Sequence, residues 1–232
     1  MKSLILTTIS LLTLTITSQA QSQKYQNRQL ALIAFNYNIA KDIKPNFDSF
    51  AHLFPEAESR RADRMLAVTK ERTWYLIKAH LEQETGMYIL PINSHGSSFK
   101  YDEYNFPNVN INRALKHGST RFYLKVDLTI SSGIPKGEMG YGARATVDTT
   151  LMEGLDQEGA CLPSMTIDVT IYNDRGILPI QRVSSTITAT TPWVMNDDTF
   201  KGLINRDEYE RNDTNTLLGL TNVTMQKLLR QF

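Results

Sequence analysis

Two kinds of hydrophobic spacing alternate along the first half of the chain, and together they predict a mixed α/β fold. Uninterrupted apolar runs at 29–36 and 87–92 predict strands that are buried on both faces. Between them, residues 57–85 keep apolar positions three to four apart and stop before Gly86. That spacing is typical of an amphipathic helix that ends at a glycine. Asn110 predicts the N-cap of a second, short helix that runs through Lys116.

The second half of the chain changes to a period of two, which predicts strands with one buried and one wetter face. In residues 121–131 the wetter positions include Lys125 and Asp127, and in 165–172 they include Asp168. Further strands are predicted at 143–151 and 177–191, with a turn at 173–176 and a closing amphipathic helix at 214–231. The predicted order is β-α-β-α-β-β-β-β-α, an α/β (α+β) fold with a mixed sheet of about five to six strands flanked by helices.

The first twenty residues have the three parts of a secretory signal peptide. Lys2 gives a positive start, residues 3–16 are uncharged and largely apolar, and Ser18 and Ala20 place small residues at the cleavage positions. The alternative is a membrane anchor, but the apolar stretch is shorter than the roughly 20 residues that span a bilayer. We therefore expect cleavage after Ala20, export to the periplasm or the medium, and no transmembrane anchor.

Length and charge narrow the remaining choices. After a signal peptide at 1–20 and a polar leader at 21–28, residues 29–232 suffice for a single mixed α/β domain. The chain has 25 Lys and Arg against 24 Asp and Glu, so bulk charge favours neither nucleic acid nor an anionic membrane as a partner. Cys161 is the only cysteine and cannot form an internal disulfide. It is either a buried small residue, or an intermolecular disulfide or reactive thiol.

The histidines and glycines do not have the spacing of known catalytic or metal motifs. His52, His80, His95 and His117 form no zinc-binding helical pair, and the glycines at 133–142 lack the lysine and hydroxyl of a phosphate loop. We predict no catalytic residue, no metal and no cofactor. The one hydrolytic alternative is the loop around His95, which contains Ser94, Ser97, Ser98 and Asp102 but no nucleophile elbow.

Aromatic residues concentrate in the polar loop at 94–109. Phe99 and three further rings, Tyr101, Tyr104 and Phe106, alternate with polar residues there. Tyrosine-rich polar surfaces suit partner binding because a rigid ring supplies contact area and its hydroxyl a hydrogen bond. Tyr101, Tyr104 and Phe106 are therefore the predicted partner-binding residues. The alternative is that two or three of these rings plug the edge of the core.

The order of elements resembles a group of small bacterial envelope domains. The resemblance rests on a first strand ending at Phe35, a long helix, the segment at 87–92, the strand at 122–130, and the long hairpin at 165–176 before a terminal helix. The group includes periplasmic domains of the curli secretion channel, the lipoprotein activators of penicillin-binding proteins, and the amino-terminal part of the Tol–Pal translocation protein. This chain has Gly-Ser-Thr at 118–120 where that group reads Gly-Ala-Asp, and it lacks the lipoprotein cysteine. The resemblance implies a non-enzymatic scaffold that binds other envelope proteins.

Three hypotheses follow from the sequence. The leading one is an exported, non-enzymatic domain that binds a protein or a cell-envelope component as a scaffold or adaptor. The second is a secreted hydrolase that uses the His95 loop, and the third is a small-molecule carrier. The sequence favours a binding protein over an enzyme and leaves the partner, the source and the oligomeric state open.

Overall fold

The architecture is described from a computed structural model, which covers residues 23–49, 51, 58–133, 160–194 and 214–232. The predicted signal peptide at 1–20 and the predicted strand at 143–151 lie outside the described residues.

Five strands form one mixed sheet in the order β2-β1-β3-β5-β6. Their bounds are β1 Gln29–Ile39, β2 Tyr88–Pro91, β3 Phe122–Ser132, β5 Pro163–Asn173 and β6 Gln181–Thr188. Strands β1, β2 and β3 run parallel, whereas β5 and β6 join antiparallel. A separate two-stranded ladder pairs β4 (Ala160–Cys161) with β7 (Trp193–Val194). The predicted mixed α/β sheet flanked by helices is confirmed.

Four α-helices accompany the strands within the described residues: α1 Lys44–Asp48, α2 Glu58–Thr85, α3 Ile111–His117 and α4 Leu217–Leu229. Local capping sets several of their ends. The Asn110 side chain accepts the Arg113 N–H, as the sequence predicts, and Thr216 caps α4 by accepting the Gly219 N–H. Helix α2 ends before Gly86, whose φ of 67° suits a residue without a Cβ.

The core lies mainly on the sheet face covered by α2 and α4. From β3, Leu124, Val126, Leu128 and Ile130 all point into this main cluster, in line with the predicted period of two. A smaller cluster lies on the opposite face, beneath α3: Ala31, Ile33, Ile92, Phe99, Val109, Ala114 and Tyr123. The first half of β1 is therefore buried on both faces, which explains its uninterrupted apolar run.

Strand β1 is longer than the sequence predicts, because it changes at a bulge from burial on both faces to an alternating burial pattern. The register against β3 shifts between Leu32 and Ala34, and the Ile33 carbonyl accepts the Val109 N–H at 2.9 Å. Beyond the bulge Asn36 is exposed, and the strand alternates as far as Ile39. The sequence pattern predicts the strand only as far as residue 36, because a half-exposed strand end with asparagines resembles a turn.

The hairpin between β5 and β6 also differs from its prediction. The expected turn at 173–176 is present, but β6 begins only at Gln181, so residues 174–180 form a longer connection. Gly176, at the end of this turn, does not adopt a positive φ. Ile177 and Leu178, predicted as strand residues, lie exposed in this connection.

Candidate functional site

The predicted aromatic loop is fastened to α2 by a buried ion pair. Lys70 is 5% exposed and its Nζ lies 2.5 Å from Oδ2 of Asp102. The same ammonium lies 4.7 Å from the centroid of the Phe106 ring and 5.1 Å from that of Tyr104. Charge pairing and cation–π contacts therefore compensate this cation for its lost hydration.

Asp102 also organises the turn that carries the aromatic rings. Its Oδ1 accepts the backbone N–H of Tyr104 at 3.0 Å and of Phe106 at 2.8 Å. Asn105 completes the turn with a φ of 63°. Because both carboxylate oxygens of Asp102 are engaged, this residue serves to hold the loop in place.

The three predicted partner-binding residues occupy different environments. Phe106 is 7% exposed and packs in the main core against Phe35 and Trp74, with ring centroids 5.2 and 6.2 Å away. Tyr104 is half-buried, and burial raises the pKa of its hydroxyl to about 12. Tyr101 is 39% exposed. A partner can therefore reach Tyr101 directly, whereas Phe106 contributes to folding.

The aromatic loop extends the sheet edge beyond the short strand β2. Asn108 bridges to Ala34 of β1, and Tyr101 bridges to Pro107. Two strand spacings of roughly 5 Å each place Tyr101 about 10 Å from β1.

His95 is buried rather than displayed by its loop. Its side chain is 8% exposed, and Nε2 has no hydrogen-bond partner among the described residues. Burial lowers the pKa of the imidazole below its ordinary value. Ser94, Ser97 and Ser98 are exposed, and Asp102 is held by Lys70. The structure does not bring a serine hydroxyl onto Nε2, the contact that a serine–histidine mechanism uses.

A polar surface that sequence reasoning did not single out lies on the sheet face opposite α2 and α4. We call it the open sheet face and define it by eight residues: Asn36, Lys125, Asp127, Thr166, Asp168, Arg182, Ser184 and Thr186. They come from β1, β3, β5 and β6, in register across the sheet. All eight are exposed or half-exposed.

Two carboxylates face each other at the centre of the open sheet face. Asp127 and Asp168 are direct cross-strand partners, with side chains 31% and 25% exposed. The Asn36 Nδ2 donates to Asp127 at 2.6 Å, and Lys125 pairs with it at 2.9 Å. The charge of Asp168 is compensated more weakly, because the Arg182 guanidinium lies 3.7 Å away. The side chain of Arg182 is itself 69% exposed to solvent.

The open sheet face can accept hydrogen bonds and cationic groups from a partner. Both carboxylates belong to the wetter positions of their predicted strands, so the alternation pattern was the available signal. Within the described ranges no group of three or more His, Cys, Asp or Glu is placed to hold a metal ion. The paired aspartates form part of a polar, partly exposed surface.

Two further sequence expectations concern Cys161 and membrane spans. Cys161 is 6% exposed, and burial raises the pKa of its thiol to about 11, so the thiolate is scarce at neutral pH. In the part of the chain that the structure covers, every helix is too short or too polar to cross a bilayer.

Comparison with known proteins adds little to this picture. No protein-family model matches the chain, and no curated protein matches it. Among solved structures, it is similar to the hypothetical protein CT253 from Chlamydia trachomatis, with 12% identity, a TM-score of 0.40 and coverage of 88% of this chain and 92% of that chain. A likeness this low carries no argument about function. The resemblance to envelope domains stays a prediction.

Proposed function

We propose that this chain is an exported, non-enzymatic domain that binds a protein or a cell-envelope component through the open sheet face. The observation that carries the proposal is the direct opposition of Asp127 and Asp168 on a partly exposed polar surface. The predicted signal peptide supports export of the protein, and the resemblance to envelope domains supports a non-enzymatic scaffold.

The paired aspartates cost stability, and this is the reason to assign them a function. Like charges directly opposite each other on neighbouring strands destabilise a sheet by about 0.2–1 kcal/mol. The ion pairs with Lys125 and Arg182 offset part of that cost, because surface ion pairs contribute about 0–1 kcal/mol. Proteins keep such local conflicts mainly where a function requires them.

A partner that brings cationic or hydrogen-bond-donating groups would relieve this repulsion. The hydroxyls of Thr166 and Thr186 are 2.9 Å apart beside the carboxylates and offer further donors and acceptors. Tyr101 is exposed on the aromatic loop that bridges to β1, so it can contribute an aromatic contact to a partner. Of the three predicted aromatic residues, Tyr101 is the one whose exposed side chain a partner would contact.

The test is the substitution Asp168→Asn, which removes one charge and preserves shape. We expect the free energy of unfolding to stay level or rise by up to about 1 kcal/mol. Affinity for a partner recovered by crosslinking tagged protein in its native cell should fall roughly tenfold, because a charge-assisted hydrogen bond contributes about 1.5–3 kcal/mol. Urea denaturation and a binding titration measure the two effects.

Glu71→Gln provides the matched control, since Glu71 is exposed on α2, on the other side of the sheet. It should change neither quantity. Unaltered partner affinity in Asp168→Asn would overturn the assignment of this surface. Turnover of a substrate by the purified protein, abolished by His95→Ala, would instead establish the hydrolase alternative.

A further inference from the structure

The connection between β5 and β6 exposes apolar side chains at one end of the molecule. We call residues 174–180 the hairpin tip. Within it Ile177 is 55% exposed and Leu178 is 78% exposed, the highest value for any large hydrophobic side chain in the described ranges. Pro179 between them and β6 is exposed as well. Such adjacent exposed side chains mark a contact site more often than single ones do.

Basic residues surround this apolar tip. Arg175 belongs to the tip itself and is exposed. Arg121 lies beside it, because its carbonyl accepts the Asp174 N–H at 3.0 Å. Lys24 reaches the base of β6, where its Nζ donates to Gln181 at 3.4 Å. Against these three cations, Asp174 is the one acidic residue of the tip. The chain is nearly neutral as a whole, with a net charge of +1, whereas the tip and its two basic neighbours carry three basic residues against one acidic residue.

The tip projects from the end of the sheet where β3 begins. Phe122, the first residue of β3, pairs with Asn173, the last residue of β5, and the tip continues beyond that pair. A flat surface can therefore meet the tip end-on. Such an approach leaves the open sheet face accessible, because that face lies along the strands rather than at their ends.

We propose that the hairpin tip is a membrane-surface contact for an anionic lipid bilayer. Ile177 and Leu178 enter the boundary between headgroups and acyl chains, while Lys24, Arg121 and Arg175 meet lipid phosphates. Shallow apolar insertion combined with basic side chains is the pairing that gives peripheral binding, since each alone is weak. This contact uses a different surface from the open sheet face and does not depend on the function proposed for it.

The experiment is cosedimentation of the purified, exported protein with lipid vesicles. One set contains phosphatidylcholine with a third of phosphatidylglycerol, and the other contains phosphatidylcholine alone. We expect binding to the anionic vesicles that weakens as salt is added. The double variant Ile177→Asn with Leu178→Asn should bind roughly tenfold more weakly, and so should Arg121→Gln with Arg175→Gln.

Matched controls separate the tip from general surface effects. Leu90→Asn removes an exposed leucine from β2, at the opposite edge of the sheet, and should leave binding intact. Lys41→Gln with Lys100→Gln makes the same charge change at exposed positions outside the tip and should also leave it intact. Circular dichroism checks that every variant is folded.

Three results would overturn the proposal. They are absence of binding to anionic vesicles, equal binding to neutral ones, and tip variants that bind as well as the parent. Loss of a crosslinked protein in the tip variants, with vesicle binding unchanged, would assign the tip to a protein interface instead. Asp168→Asn should bind vesicles normally, so failure of this proposal is distinguishable from failure of the function proposed for the open sheet face.

Discussion

Single buried polar residues explain why the aromatic loop and the His95 turn have their observed shapes. The Lys70 ammonium pairs with Asp102 and contacts the surrounding aromatic rings, and these contacts hold the loop against α2. The His95 carbonyl accepts both the N–H and the hydroxyl of Ser119, which ties the 3₁₀ turn at Ile92–His95 to the residues before β3. At the residue scale, polar residues that the sequence suggests as candidates for catalysis or binding serve to position loops.

The burial of His95 predicts a loss of stability in mild acid. Its pKa is lowered from 6.5 by burial in the folded protein and returns to that ordinary value on unfolding. Above 6.5 both states are neutral, and as the pH falls through 6.5 only the unfolded state gains the proton. The stabilising term is thus present at neutral pH and declines below 6.5, down to the folded pKa.

Urea denaturation at about pH 7.5 and about pH 5.5 measures this effect. The parent protein should lose more free energy of unfolding between the two values than His95→Leu does, because leucine has no proton to gain. His117→Leu, at an exposed position on α3, is the matched control for replacing a histidine by leucine. Identical pH dependence in the parent and in His95→Leu would show that burial does not hold the imidazole neutral.

At the scale of elements, α4 protects the free edge of the sheet as well as its core. Among the described strands β6 is the last of the sheet, and an edge strand presents carbonyls that are open to pairing. Lys227 donates to the Thr186 carbonyl at 3.1 Å, and Gln231 donates to the Ser184 carbonyl at 2.9 Å. A helix that packs on β5 and β6 thus also covers part of the exposed ladder.

Removal of both donors should expose this edge. We expect Lys227→Ala with Gln231→Ala to lower the free energy of unfolding by about 1–2 kcal/mol, since each hydrogen bond contributes about 0.5–1.5 kcal/mol. Edge-to-edge association should increase in parallel. Size-exclusion chromatography with light scattering detects it, and Gln226→Ala with Arg230→Ala is the matched change at exposed positions. A stable, monodisperse double variant would contradict this role.

The sequence predicts the helices and strands better than it predicts which residues of distant elements come into contact. The bounds of α2 and β5 and the cap of α3 are close to the prediction, because spacing and capping are local properties. The position of Asp127 opposite Asp168 depends on the register of two strands that residues 133–162 separate. Burial of Phe106 likewise depends on Trp74, which belongs to a distant helix. Neither contact leaves a periodic signal in the chain.

At the scale of the whole molecule, one core joins the N-terminal and C-terminal parts. The main hydrophobic cluster contains Tyr25, which precedes β1, together with Leu228 from α4. It also contains Phe47 from α1 and Trp193 from β7, whose ring centroids lie 6.4 Å apart. A cluster shared in this way is expected of a single domain, since each part completes the burial of the others.

This shared core predicts that the two tryptophans report one unfolding transition. Trp74 packs against Phe35 with centroids 5.1 Å apart, whereas Trp193 donates its Nε1–H to the Thr214 carbonyl at 2.9 Å. These are the chain's two tryptophans, so Trp74→Phe and Trp193→Phe each leave a single fluorescent probe. In each variant the urea midpoint from fluorescence should coincide with the midpoint from far-ultraviolet circular dichroism. A Trp193 transition separated from that of the sheet would mean that the segment around β7 folds as an independent unit, and residues 29–232 would then not form one domain.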